Sequence, residues 1–223
     1  MSRVAGTFLP ENSATPSKPR DKRVEQGAAS REEILDAAER LMGIRGYDGT
    51  SIATISRESG LPNSSIYWHF NSKAGVVAAV MERGAERFFA TVGPTAREPD
   101  ESPGAYIHRH LLASLKVAVT QSQFWRLLVL LLLSNDNPDV IAIVQQVRGR
   151  ARALLHQVLQ TAYAGSGEQE ADNVADALTD YLLAAYDGIL LAIQADSEPS
   201  PEVLAAQLAE SVVVLADGIV TGR

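Results

Sequence analysis

Apolar residues in this chain recur mostly at helical spacing. Ile34, Leu35, Ala38, Leu41 and Met42 fall at i, i+1, i+4, i+7 and i+8, one face of an α-helix. Ser30 with Glu33 fits a capping box, and Gly46 is a plausible stop, so a first helix is predicted over about 30–45. Thr50 and Ser51 offer the next N-cap, Ile52 and Ile55 lie one turn apart, and Gly60 closes that helix. Pro62 suits the first turn of a third, short helix to about Phe70, because no backbone donor is needed there. Ser72 then caps a longer helix through Val76, Val77, Val80, Met81, Phe88 and Phe89, ending near Gly93-Pro94.

The remainder repeats one grammar. Ser102-Pro103, Asn137-Pro138 and Ser200-Pro201 each pair an N-cap residue with Pro at the first helical position. Helices are predicted at about 103–120, 123–134, 138–164, 170–195 and 200–221. No stretch shows the β-branched alternation of a strand. The fold class is therefore all-α, with about nine helices. Leu127 to Leu133, apolar at every position, reads as a fully buried central helix and is too short for a membrane span, which needs roughly twenty residues. Residues 1–29, with Pro10, Pro16 and Pro19 and no apolar period, read as a flexible N-terminal arm. That arm holds no signal-like apolar run, which points to a cytoplasmic protein with no membrane partner.

Composition narrows the chemistry. There are no cysteines among the 223 residues, which excludes disulfides, Cys-ligated metals and a thiol nucleophile. The net charge of −7 argues at first against nucleic acid, but its placement reverses that reading. Residues 1–90 hold 12 basic against 11 acidic side chains, whereas 91–223 hold 8 against 16. From Ser59 to Met81 there is no acidic residue and Lys73 is the only formal charge. A surface meeting phosphate has to lack carboxylates in this way.

That acid-free stretch belongs to the informative segment, Thr50 to Lys73. A helix, a turn at Ser59-Gly60-Leu61 and a second short helix make a helix-turn-helix, whose second helix is free to enter a major groove. Asn63, Ser64, Ser65, Tyr67, Trp68 and His69 can bond phosphates or base edges. Lys73 opens the following helix, where it and free backbone N–H groups can grip a phosphate. Singly, each has a plain structural reading: an N-cap for Thr50, core aromatics for Tyr67 and Trp68, a packed histidine for His69, a solvated lysine for Lys73. Their joint spacing is what points to DNA.

The segment resembles the TetR family of bacterial one-component transcriptional regulators. The resemblance is carried by Thr50, Ile52, Ile55, Gly60-Leu61 and Ile66-Tyr67-Trp68-His69-Phe70, then Ser72-Lys73, and covers roughly residues 30–80. It implies that Thr50, Tyr67 and Lys73 bond phosphates and that His69 supports the backbone contact. Asn63, Ser64 and Ser65 lie where the family reads base edges. Ile52, Ile55, Ile66 and Phe70 would hold the small core. The sequence departs from the family pattern at Pro62, where Ser is usual, and at Ser64, where Gly is common. The resemblance further implies a homodimer on a palindromic operator, acting as a repressor released by a small effector. The domain plan expected is an arm (1–29), a helix-turn-helix domain (30–76) and a helical effector-binding and dimerisation domain (77–223).

In the second half, the stripes Leu178, Tyr181, Leu182, Ala185 and Ile189, then Leu204, Leu208, Val212 and Leu215, suit a four-helix bundle built by two subunits. An apolar effector pocket among the helices after residue 77 would draw on Phe89, His110, Phe124, Trp125, Gln146 and Tyr186. No G-x-S-x-G elbow, Walker loop, Rossmann fingerprint or H-E-x-x-H pair is present. His108 and His110, two apart, point to different helix faces and make a poor metal pair. No catalytic residue, metal or cofactor is expected. The alternative is a constitutive helix-turn-helix protein without an effector, which a solidly packed C-terminal half would favour.

Overall fold

The computed structural model describes residues 19–93, 95–134, 137–195 and 200–221, and among these it holds nine α-helices, one 3₁₀ turn and no strand. The helices are α1 (Pro19–Arg45), α2 (Ile52–Ser59), α3 (Asn63–Phe70), α4 (Lys73–Val92), α5 (Pro103–Thr120), α6 (Ser122–Ser134), α7 (Pro138–Tyr163), α8 (Glu168–Ala195) and α9 (Pro201–Thr221). The all-α reading holds, and most boundaries fall within a few residues of those predicted.

Two expectations change. The first helix begins at Pro19, so Ser30 sits inside α1 and caps nothing; of the expected arm, residues 1–18 lie outside the described residues. The apolar run in α6 is also not fully buried. Leu127, Leu128 and Leu131 are packed, whereas Leu132 and Leu133 are 41% and 77% exposed. Composition gave α6 no polar face, but packing gave it an open one.

The caps read from sequence are made. The Ser51, Ser72 and Ser102 hydroxyls accept the Thr54, Gly75 and Ala105 N–H at 3.2, 3.0 and 3.2 Å. Asn137 accepts from Asp139 N and Ser200 from Val203 N. Each bond satisfies a donor the first helical turn leaves open. Pro62 caps α3 only through its carbonyl, which accepts from Ser65 N at 2.9 Å. Gly60 ends α2 at φ +73°, the left-handed conformation that favours glycine and turns the chain into α3.

Helices α1–α3 close a small core around Ile34, Leu35, Ile55, Ile66 and Phe70. α4 is shared with the second half, held to α1 by Arg83, which reaches Glu32, Asp36 and Glu39 at 2.8, 2.8 and 2.6 Å. α7 and α8 run antiparallel and carry a ladder whose rungs are one turn apart on α7. Arg148 pairs with Asp187 (2.6 Å), Arg152 with Asp180 (2.7 Å), His156 with Asp176 (3.0 Å) and Gln160 with Asp172 (2.7 Å).

Candidate nucleic-acid interface and interior cavity

The outer face of α3 is assembled by helical spacing alone. Ile66 and Phe70 point into the core, which turns Asn63, Ser64, Tyr67 and Trp68 outward. Trp68 is 76% exposed and Tyr67 51%, unusual for large aromatics, and the Trp68 ring meets that of His69 edge to face at 4.5 Å. Ser65 and His69 are half-buried beside them and, with Trp68, border a shallow open groove against Gln26, Gly27 and Ser30 of α1. Burial, and secondarily Arg31, pushes the His69 imidazole below its ordinary pKa, so the face is uncharged near neutrality.

Lys73 is placed rather than free. Its Nζ donates to the Tyr47 carbonyl at 3.0 Å and lies 3.9 Å from the centre of the Tyr47 ring. An ammonium has three donors, so this contact aims the group while leaving two. Sequence reasoning missed Tyr47; an aromatic in the α1–α2 turn gave no spacing signal. Thr50 is turned inward: its side chain is 1% exposed and its hydroxyl donates to Gly46 O at 2.9 Å, closing the turn. The same turn aims Lys73.

A cavity lies between α4, α5, α6, α7 and α8. Phe89, His110, Phe124, Trp125 and Tyr186, five of the six residues read from sequence, line it together with Phe88, Ser114, Leu128, Arg148, Leu183 and Asp187. Gln146 does not: it is exposed on α7, and its neighbour Val147 faces inward instead. One residue is about 100° of helix, enough to exchange the faces. The enclosed space is about 40 Å³. Its aromatic walls meet edge to face, Trp125 lying 5.0 Å from Phe88, 5.2 Å from Phe124 and 6.5 Å from Tyr186 between ring centres. Burial, helped by Arg109, lowers the His110 pKa to about 4, and burial raises that of Tyr186; both side chains are neutral at pH 7.

The apolar stripes of α8 and α9 divide. Leu178, Leu182, Leu208 and Val212, read from sequence as interface residues, are buried within their own chain. Ala185, Ile189 and Leu204 are half-buried. Tyr181 and Leu215 are each 43% exposed and border one groove with Gln207, Glu210, Ser211 and Val214. α9 is the one described helix long and apolar enough to cross a membrane by length and composition, with 28% of that window buried.

Comparison with known proteins converges on these same elements. The family model described as bacterial regulatory proteins, tetR family, matches residues 34–80, the span from within α1 to the middle of α4. The HTH-type transcriptional regulator TtgR of Pseudomonas putida is 27% identical over 173 residues, covering 74% of this chain and 80% of its own. A TetR-like transcriptional regulator from Rhodococcus sp. RHA1 shares the fold with a TM-score of 0.63 at 24% identity, over 88% of this chain and 98% of its own. A SmeT–triclosan complex superposes with a TM-score of 0.67 at 19% identity, over 84% and 91%.

Proposed function

Because the chain belongs to the TetR family and is a DNA-binding transcriptional regulator rather than an enzyme, we propose that it is a homodimeric, cytoplasmic repressor released from a palindromic operator by a small hydrophobic effector. The observation that carries the DNA half is the acid-free outer face of α3, with Trp68 and Tyr67 turned to solvent. In this reading Asn63, Ser64 and Ser65 meet base edges, Tyr67, Trp68 and His69 lie along the backbone, and Lys73 holds a phosphate. The domains follow as a reading head ending near residue 76 and an effector and dimerisation unit beyond it.

The exposed apolar face of α8 and α9 supports the dimer. Tyr181, Val203, Val214 and Leu215 stay uncovered in one chain, and a second copy of the same two helices covers them in a self-complementary four-helix bundle. This accounts for the apolarity of α9 without a membrane. Charge agrees, since the acidic half keeps the dimer off random DNA.

α4 supplies the coupling. It carries Lys73 at its start and Phe88 and Phe89 at the cavity, about 22 Å apart at helical rise. Gly84, on the same helix, sits so close to Phe124 that a Cβ there would lie 2.2 Å from the ring. An effector that moves Phe124 therefore moves α4 and the spacing of the two α3 helices, which must match grooves about 34 Å apart.

The small enclosed volume favours a second reading, a constitutive regulator without an effector. Selection of bound DNA from a random pool tests the first claim. An inverted repeat with half-sites one or two helical turns apart is expected; unrelated or single half-sites defeat the dimeric operator reading. Release of that DNA by a compound which binds the cavity then separates the two readings.

A further inference from the structure

The cavity holds polar atoms that the protein itself leaves without partners. Trp125 Nε1, His110 Nε2 and the Tyr186 hydroxyl are buried and find no hydrogen-bond partner among the described residues. The three side chains are 5%, 5% and 6% exposed. Ser114 bears on the Tyr186 phenol but gives its own hydroxyl hydrogen to Leu111 O, so towards that phenol it can only accept. Buried polar groups are normally paired, and exceptions call for an explanation. Of seven such atoms among the described residues, these three line one cavity, in aromatic surroundings.

The inventory of donors and acceptors restricts what would satisfy them. The Trp125 indole N–H only donates, so the ligand must offer an acceptor. A neutral imidazole has one donor and one acceptor nitrogen, and a phenol does both. A hydroxyl is the smallest group that accepts from Trp125 while donating to His110 or Tyr186. A charged ligand lacks a counter-ion, because the charged groups lining the cavity, Arg148 and Asp187, are bound to each other at 2.6 Å.

That ion pair also stands at a boundary. Arg148, Asp187, Trp125 and Leu128 line the inner cavity and also an outer apolar groove of about 380 Å³ formed with the exposed leucines of α6 and α8. The inner space of about 40 Å³ is well short of the roughly 150 Å³ that holds one benzene ring. Opening the pair joins the two.

We propose that this site takes a small neutral aromatic molecule bearing a hydroxyl, bonded by Trp125, His110 and Tyr186, and admitted from the outer groove when the Arg148–Asp187 pair opens. The proposal rests on the effector reading above and gives that effector its chemical class. The pair is a gate, and the aromatic walls with their unpaired polar atoms are the seat.

Calorimetric titration of the full-length protein with four two-ring probes, with stopped-flow tryptophan fluorescence for association rates, tests this. 5-Indanol should bind at least tenfold more tightly than indane, with indane-5-carboxylate and the ammonium 2-aminoindane weaker than either. Tyr186→Phe should remove most of that advantage, about tenfold, while leaving indane unchanged. Asp187→Asn should speed 5-indanol association about tenfold and, by freeing Arg148, improve binding of the carboxylate. Equal affinity for indane and 5-indanol, preference for either ion, or no binding overturns the ligand class. An unchanged association rate in Asp187→Asn overturns the gate. If 5-indanol binds with this signature and the operator stays bound, the seat stands and the effector reading fails. If the operator is released only by compounds that ignore Tyr186→Phe, the regulator reading stands and this seat fails.

Discussion

The chain has two tryptophans, and they stand in opposite situations. Trp68 is turned out from α3 with 76% of its surface exposed, whereas Trp125 is 5% exposed at the wall of the interior cavity. The same contrast runs through their neighbourhoods. Around Trp68 the side chains of Asn63, Ser64 and Tyr67 face solvent; around Trp125 the aromatics face one another and three buried polar atoms lack a partner. A surface built for a partner of fixed geometry leaves a mark in sequence spacing. A cavity built for a small molecule is written in the same residues as a core.

The largest effects should separate the tryptophans. Trp125→Ala removes a buried aromatic from packed neighbours and should cost about 3–5 kcal/mol of stability, read by denaturant unfolding. Trp68→Ala should change stability by under about 0.5 kcal/mol, as exposed substitutions do, yet weaken operator binding tenfold or more. A Trp68 variant that unfolds, or that binds operator normally, would erase the distinction.

Next in size is an acid sensitivity confined to the interior half. His110 has its pKa lowered to about 4 by burial, with Arg109 contributing, against about 6.5 when unfolded. The unfolded chain thus binds the proton first as pH falls. Stability is full above about pH 6.5, declines progressively towards pH 4 and levels below it, a loss on the order of 3 kcal/mol. His110→Leu should flatten that portion of the stability–pH curve, while His69→Leu on the other half should leave most of it in place.

Much of the fold was legible because caps and periodicity are local. Ser72, Ser102 and Asn137 each announced a helix, and the α2–α3 unit followed from Gly60 and the acid-free run. The start of α1 was not, because a polar, Pro-containing stretch carries no apolar period and its helicity arises in the context of the chain it continues. The burial of Thr50 was not legible, because a buried turn hydroxyl and an exposed one share a spacing. Leu178, Leu182, Leu208 and Val212 showed the same stripe as Tyr181 and Leu215. Only packing decides which side of a helix its own chain covers, and a wide stripe serves both. Gln146 failed by a single residue of register, and no pattern in the sequence marked Arg148 and Asp187 as partners, since they lie 39 residues apart.

Gly84 tests whether the two regions communicate through α4. Gly84→Ala places a methyl against the Phe124 ring, where nothing can yield but the ring itself, and overpacking of this kind costs about 1–3 kcal/mol. The expected result is reduced stability together with a changed operator affinity, although Gly84 lies far from α3. Lost stability with unaltered DNA binding would confine Phe124 to packing.

Lys73→Ala is the smallest of these effects and the most specific. Each phosphate neutralised contributes about 0.9 to the slope of log K against log salt. A dimer using Lys73 twice should therefore lose about 1.8 from that slope, with affinity falling by a similar factor on every operator variant. The substitution also removes the bond to the Tyr47 carbonyl, so a purely structural role has to be told apart. Loosening of the α1–α2 turn lowers affinity but leaves the number of released counterions unchanged, hence a parallel salt line. Lys73→Arg keeps the charge and should restore the slope even where the Tyr47 contact is imperfect. A flattened line for Ala and a restored one for Arg place the phosphate at Lys73. A parallel line for Ala returns Lys73 to the scaffold, and with it the claim that the exposed half of the comparison was readable from spacing alone.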